Sequence, residues 1–232
     1  MDNIQEMNRR DFIRFVSVFA VSFLMPHASD AKEVERLLDN EDREGFNVRF
    51  IMPIKPVNSE KWILKIGGLC EYPGQFTLGS IKKLTKDTQM SRMTCVEGWS
   101  GKAKWGGFFP QTLFNTVKPM KEAKYLYFYS ADNYYEYISL EDLLKPRVIF
   151  AYEMDNKPLP DIHGGPLRLL IPSKYGYKSV KTIMKLDFVE KEGTGYWSQF
   201  GYPRDGTIKP GTDHALDLKT YKIIKKDGEP DY

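Results

Sequence analysis

Residues 91–100 read Ser91-Arg92-Met93-Thr94-Cys95-Val96-Glu97-Gly98-Trp99-Ser100, and the chain runs on through Gly101, Trp105, Gly106 and Gly107 to Phe108. Three chemistries are open to Cys95. It can be an inert buried thiol, the usual fate of an unbridged cysteine. It can be a nucleophile, which needs a base close by, and the histidines of the chain are His27, His163 and His214. It can be a soft thiolate ligand to a metal. A single cysteine with no histidine beside it suits a metal whose other ligands come from a cofactor. The glycines at 98, 101, 106 and 107 let backbone approach something large.

Around this stretch, short apolar runs alternate with Gly and Pro. Residues 48–52, 62–66, 125–129, 148–154, 167–171 and 183–189 read as strands. Residues 76–84, with Leu78, Ile81 and Leu84 at helical spacing, and residues 140–144 read as short helices. From Gly193 onward the chain is rich in Gly, Pro and Asp and reads as a surface wrap. Strands dominate, so the expected class is α+β, with mixed sheets and short helices.

The 232 residues allow one large domain or two small ones. A charged fraction of 28% against 41% hydrophobic argues against wholesale disorder. The net charge of +3, evenly spread, argues against a nucleic-acid protein. Cys70 and Cys95 are too few for a disulfide scaffold or a four-cysteine zinc site. Cys70 reads as structural. No apolar run reaches the roughly 18 residues of a spanning helix.

At the N-terminus, Asn8-Arg9-Arg10-Asp11-Phe12-Ile13 precedes an apolar run from Phe15 to Met25, then Pro26, Ala28 and Ala31. This is the order of an export signal, and the paired arginines before an apolar pair resemble a twin-arginine signal. Residues 1–31 are therefore expected to be the signal and 32–232 a single domain, carried to the periplasm. A charged lead-in follows over residues 31–45. The twin-arginine route exports folded proteins, often with a cofactor already inserted.

Two blocks carry a family resemblance. Cys95-Val96-Glu97-x-Trp99-Ser100 followed by Trp105-x-Gly107-Phe108 resembles the molybdenum-binding segment of the sulfite-oxidase superfamily, in its branch of periplasmic methionine-sulfoxide reductases. Leu159-Pro160, Gly164-x-Pro166-x-Arg168, Pro172-x-Lys174-Tyr175-Gly176 and Lys178-Ser179-x-Lys181 resemble the cofactor-binding block of the same superfamily. Weaker matches are Asn47-Val48-Arg49 before Pro53, and Gly195-Tyr196-Trp197 with Gly201-Tyr202.

The resemblance implies a sulfite-oxidase-type fold, without a C-terminal immunoglobulin-like domain, around a molybdopterin that lacks a nucleotide. It implies Cys95 as the metal ligand. Arg168, Lys174, Lys178 and Lys181 would supply charge to the pterin phosphate, with Ser179 and the Val180 backbone beside them. His163 falls where a pterin contact is made, and Ser130 near a family threonine that touches the cofactor. Asn47, Phe50 and Ile51 match an N-terminal contact segment, through backbone for the last two. Tyr135, in the cluster Tyr134, Tyr135 and Tyr137, falls where sulfite-oxidizing members place an active-site tyrosine. Arg49 and Trp99 complete the expected catalytic set.

Enzymes that recognise sulfite place basic residues just after the cysteine, whereas residues 96–101 here contain none. An aromatic, weakly cationic entry fits a neutral oxide better. The expected activity is therefore reduction of an S-oxide or related oxide by a monomeric catalytic subunit. A separate cytochrome would supply electrons, because no haem, flavin or iron–sulfur motif is present. Sulfite-type oxidation is the alternative reading, supported by Arg49 and Tyr135. A non-catalytic exported cofactor-binding protein is a second alternative.

Overall fold

The computed structural model describes residues 46–48, 50–52 and 56–232, which belong to one compact unit. The expected signal over 1–31, the charged lead-in over 31–45 and Arg49 lie outside the described residues.

The strands are β1 (Ile63–Gly68), β2 (Gly74–Thr77), β3 (Asp87–Thr94), β4 (Trp99–Phe108), β5 (Tyr125–Ser130), β6 (Tyr135–Ser139), β7 (Ile149–Met154), β8 (Lys157–Pro158), β9 (Arg168–Leu170), β10 (Ile183–Val189), β11 (Gly211–Ala215) and β12 (Thr220–Ile224). They form two mixed sheets. The first runs β2-β1-β10-β5-β6, with β1 and β10 parallel. The second runs β12-β11-β4-β7-β8, with β3 added along β4 and β9 along β7. There β11 joins β4 in parallel, pairing His214 with Trp99 and Ala215 with Ser100.

Period-two patterning sets which face each strand buries. In β5, Leu126 and Phe128 are buried while Tyr125, Tyr127 and Tyr129 stay partly exposed. In β7 nearly every residue is buried, because both faces of the strand are covered. Phe150 and Tyr152 join Leu64, Leu126, Phe128 and Phe188 in the core that both sheets contribute to. Ile149, Ala151 and Met154 join Trp99, Ala103, Trp105 and Leu170 in a second cluster on the opposite face. Each fully buried Phe contributes about 1.5–3 kcal/mol, so the sheets are secured by side chains of this type.

Several expectations need correction. Described residues in 48–52 form no strand; the Ile51 N–H donates to Asp132 Oδ2 at 3.0 Å instead of to a ladder. The helix expected over 76–84 shrinks to Leu78–Ile81, because Phe76 belongs to β2 and Thr77 caps the turn by accepting from the Ser80 N–H. The chain beyond Gly193 carries β11 and β12, not a bare surface wrap. Helix Pro110–Val117 was not anticipated. Pro110 stands in its first turn, where a missing N–H costs nothing, and Phe114 meets Phe188 edge-on at 5.5 Å. Among the described residues, no helix is long and apolar enough to cross a membrane.

Candidate functional site

β3 and β4 form a hairpin whose closed end carries Cys95. Thr94 and Ser100 are its last paired residues. The Cys95 N–H donates to Trp99 O at 2.8 Å and the Gly98 N–H to Cys95 O at 3.1 Å, closing a tight turn. Gly98 has φ +87°, which a side chain would strain, and a β-carbon there would meet nothing within 4 Å. Gly107 behaves differently. A β-carbon on it would sit 1.8 Å from Phe150 O, so what its bare backbone approaches is strand β7 and not a ligand.

Met93 and Cys95, two residues apart, both pack against the second core cluster. Cys70 and Cys95 are both thiols and not a disulfide. Burial, with Asp187 nearby, pushes the Cys70 thiol up, and its Sγ donates to Gly67 O at 3.7 Å, consistent with an inert role. Among the described residues, no three His, Cys, Asp or Glu side chains gather to hold a metal. A metal on Cys95 must therefore draw its other ligands from elsewhere.

Against Met93, two residues before Cys95, lies an unusual cation. Arg168 opens β9 and is 2% exposed. Its guanidinium donates to His163 O at 2.7 Å, to Ser179 O at 3.4 Å and to Met93 Sδ at 3.3 Å, and lies 5.1 Å from the Trp105 ring centroid. Among the described residues no carboxylate pairs with it. Burial lowers its pKa to about 10, the signature of a charge removed from water without a counterion. The short turn Gly176–Lys178 abuts the same place: a β-carbon on Gly176 would lie 3.7 Å from both Thr94 O and Met93 Sδ. Cys95, Met93, Arg168 and the Gly176 turn thus come together.

Lys174 and Lys178, expected beside the phosphate, already have acidic partners. Lys178 Nζ meets Glu136 Oε1 at 3.0 Å, and both residues are buried. Burial lowers Lys178 and raises Glu136, each against the other's attraction. Lys174 Nζ meets Asp142 Oδ2 at 3.0 Å and donates to Asp205 O at 2.6 Å. Lys181 lies with its Nζ 3.5 Å from the Phe50 ring centroid.

The remaining expected residues are placed as follows. His163 is buried and meets the Phe46 ring edge-on at 5.6 Å. Ser179 Oγ accepts from the Ile171 N–H at 3.1 Å. Val180 is in the core between the sheets, where its carbonyl accepts from Leu169 N–H at 2.8 Å. Ser130 Oγ donates to Lys181 O at 2.6 Å, tying β5 to the cofactor-binding block. Asn47 is half-buried next to Phe46, which packs on Trp105, so residues 46–48 run along the second cluster. Trp99 is buried in that cluster, with Nε1 donating to Glu97 Oε2 at 3.0 Å. Tyr135 stands on β6 in the first sheet, edge-on to Tyr196 at 5.9 Å, and accepts from Gln199 Nε2. No described contact joins it to Cys95.

Sequence reasoning missed Met93, Asp132, Glu136 and Asp142. Met93 could have been found, since alternation puts residues two apart on one face. Glu136 and Asp142 are 42 and 32 residues from the lysines they meet, and Asp132 is 81 residues from Ile51, so none leaves a local signal.

A cofactor holding one metal and one phosphate fits these residues. A soft sulfur stands at a turn open on its Gly98 side, and a buried guanidinium lacks an anionic partner among the described residues.

Comparison with known proteins gives consistent results. The model of the oxidoreductase molybdopterin binding domain family matches residues 51–197. The protein-methionine-sulfoxide reductase catalytic subunit MsrP of Xanthomonas axonopodis pv. citri is 32% identical over 181 residues, covering 69% of this chain and 56% of the relative. The putative protein-methionine-sulfoxide reductase subunit YedZ1 of Azospira oryzae is 34% identical over 149 residues, covering 64% and 57%. The chain thus spans about half the length of the curated relatives it matches. The crystal structure of the sulfane dehydrogenase SoxCD from Paracoccus pantotrophus shares the fold, with a TM-score of 0.58 at 20% identity over 62% of this chain and 42% of that one.

Proposed function

Because this chain belongs to the oxidoreductase molybdopterin binding domain family, we propose that it is an exported oxidoreductase that reduces an S-oxide, such as methionine sulfoxide, with electrons from a separate cytochrome. The observation that carries this reading is the juxtaposition of the Cys95 hairpin with the buried, carboxylate-free Arg168.

When bound, a nucleotide-free molybdopterin supplies the two-electron oxygen-atom chemistry. The chain's own residues supply position and charge. Cys95 holds the metal as a thiolate, and Arg168 gives the phosphate a charge-assisted partner. Lys181 would add a second cation, and His163, Asn47 and Ser130 further contacts to the group. Lys174 and Lys178 keep Asp142 and Glu136 as neutralised partners, which holds the 172–181 segment in shape. No basic residue occurs over 96–101, which favours a neutral oxide over a dianion. The Arg9-Arg10 signal supports a periplasmic location, and the name of the MsrP relative supports the sulfoxide substrate.

The test is methionine-sulfoxide-dependent oxidation of reduced viologen by protein with quantified molybdenum. Rapid turnover is expected. Metal-loaded protein that ignores sulfoxides but oxidises sulfite with an artificial acceptor would overturn the substrate assignment. Stoichiometric metal with neither activity would indicate a cofactor-binding protein without turnover.

A further inference from the structure

The back of the Cys95 hairpin is occupied by a buried polar group that joins Arg92 and Ser100 to residues beyond the family match, which ends at 197. Side chains alternate along β3, so Arg92 and Thr94 face away from Met93 and Cys95. Ser100, opposite Thr94, is the hub of this rear face. Its Oγ donates to Asp213 Oδ2 and receives Arg92 Nη1 at 3.1 Å. Asp213, on β11, is 1% exposed, and its Oδ2 also accepts from Tyr232 OH. Arg92, 2% exposed, makes a two-pronged pair with Asp217 at 2.6 and 3.0 Å and lies under the Tyr232 ring at 4.9 Å. The backbone adds to this: the His214 N–H donates to Gly98 O at 2.9 Å, inside the turn that closes on Cys95. Leu216 packs against the same cluster as Cys95.

A two-stranded hairpin on its own holds its turn weakly. Here the turn is held by the β3–β4 ladder and by two adjacent residues of β11, Asp213 through Ser100 and His214 through Gly98 O. Burying a carboxylate costs much unless its acceptors are used, and Asp213 spends Oδ2 on the residue five positions after the cysteine. Arg92 and Asp217 bring an opposite-charge pair to the same place, which limits that cost.

We propose that Asp213 is a positioning residue that, through Ser100 and the β11–β4 pairing, fixes the orientation in which Cys95 presents its sulfur to the metal. This rests on the molybdenum reading above. Asp213 touches neither Cys95 nor any reacting atom, so its effect is carried wholly by the hairpin.

The test compares Asp213→Ala with Asp213→Asn in the full chain. The amide of Asn can keep an oxygen where Oδ2 stands, and its NH2 falls where Oδ1 makes no hydrogen bond among the described residues. The first readout is the electron paramagnetic resonance spectrum of one-electron-reduced, molybdenum-loaded protein without substrate, since its g-values follow the sulfur's orientation on the metal. Asp213→Ala should shift them, and Asp213→Asn should restore them. The second readout is alkylation of Cys95 in protein made without cofactor, with buried Cys70 as internal reference. Loss of one buried hydrogen bond should speed Cys95 labelling about fivefold in Asp213→Ala. Cys70 labelling should not change. Unaltered g-values with an unaltered Cys95 rate, whatever the melting temperature, would overturn the proposal and leave Asp213 a purely structural residue. If the wild-type protein takes up no molybdenum, the function assigned above fails, and the orientation claim fails with it if the thiol kinetics are also unchanged.

Discussion

Arg168→Met separates a buried cation built for a ligand from one built for the fold. The perturbation removes the charge and keeps most of the volume. In the cofactor-free chain, burial lowers the Arg168 pKa from its ordinary value to about 10, so the charge costs the fold about 3 kcal/mol. The sign is that of a base held below its unfolded value. The penalty is fully present below the folded value of about 10 and is relieved only as pH rises through it toward the unfolded value. Against this, the substitution leaves His163 O without its donor at 2.7 Å, worth about 1–3 kcal/mol, and removes the contact over Trp105, worth about 0.5–2 kcal/mol. These nearly cancel, so Arg168→Met should unfold in urea within about 1–2 kcal/mol of wild type. Lys178→Met is the control. It strands the buried Glu136 carboxylate and should cost about 3–5 kcal/mol. With cofactor present the order reverses. A charge-assisted bond to phosphate is worth about 1.5–3 kcal/mol, so Arg168→Met should weaken cofactor retention roughly 10- to 150-fold, read as molybdenum and pterin left after dialysis. If Arg168→Met destabilises the cofactor-free chain as much as Lys178→Met does, or keeps its molybdenum as wild type does, the assignment of Arg168 to an anion is wrong.

Three further outcomes are expected. Cys95→Ser should abolish sulfoxide-dependent viologen oxidation while leaving the far-ultraviolet dichroism and melting temperature close to wild type, because the side chain sits at a turn and makes little of the core; near-wild-type turnover would remove Cys95 from the metal. Gly107→Ala should cost more than about 3 kcal/mol or prevent folding, since its β-carbon would lie 1.8 Å from the Phe150 carbonyl oxygen and 2.8 Å from Ala151 Cα, both backbone atoms that cannot turn aside; a soluble variant with an unchanged urea midpoint would refute the close β4–β7 approach. Burial alone would raise the Asp142 carboxyl, but hydrogen bonds from Lys145 and Lys174, with the Lys174 charge, outweigh it and hold it below its ordinary 3.8. Its stabilising contribution is therefore complete above that pH and lost as pH falls below it. Asp142→Asn should be less stable than wild type at pH 6, with the difference shrinking below pH 3.8, and a difference independent of pH would contradict the ion pair.

Legibility in the sequence followed the range over which each interaction acts. Strand identity is local, and the alternation in Tyr125–Ser130 or Ile183–Val189 could be read directly. The segment 90–108 hid its strands, because β4 is covered on both faces and its burial does not alternate. Gly106 and Gly107 looked like a bare approach to a ligand for the same reason. The glycine that a left-handed turn demands, and the one that a neighbouring strand demands, are the same letter in one dimension. The family was legible because the neighbours of Cys95 form a pattern, and the molybdopterin binding domain match spans it.

The electrostatics of the site were not legible, and the reason is specific. Arg168, Lys174, Lys178 and Lys181 are one basic run in the sequence and suggest one phosphate cradle. In space they divide by the acids that reach them. Glu136 and Asp142 come from the β6 edge and the helix Leu140–Leu143 to neutralise two of the lysines. Among the described residues no carboxylate reaches Arg168, which is left with carbonyls, a thioether and an indole face. A buried cation without a counterion carries the cost of its burial and would gain most from an incoming anion, whereas a lysine already paired has that cost offset within the fold. The division between paired and unpaired charge is thus set by residues 32 to 42 positions away, and only the fold can make it.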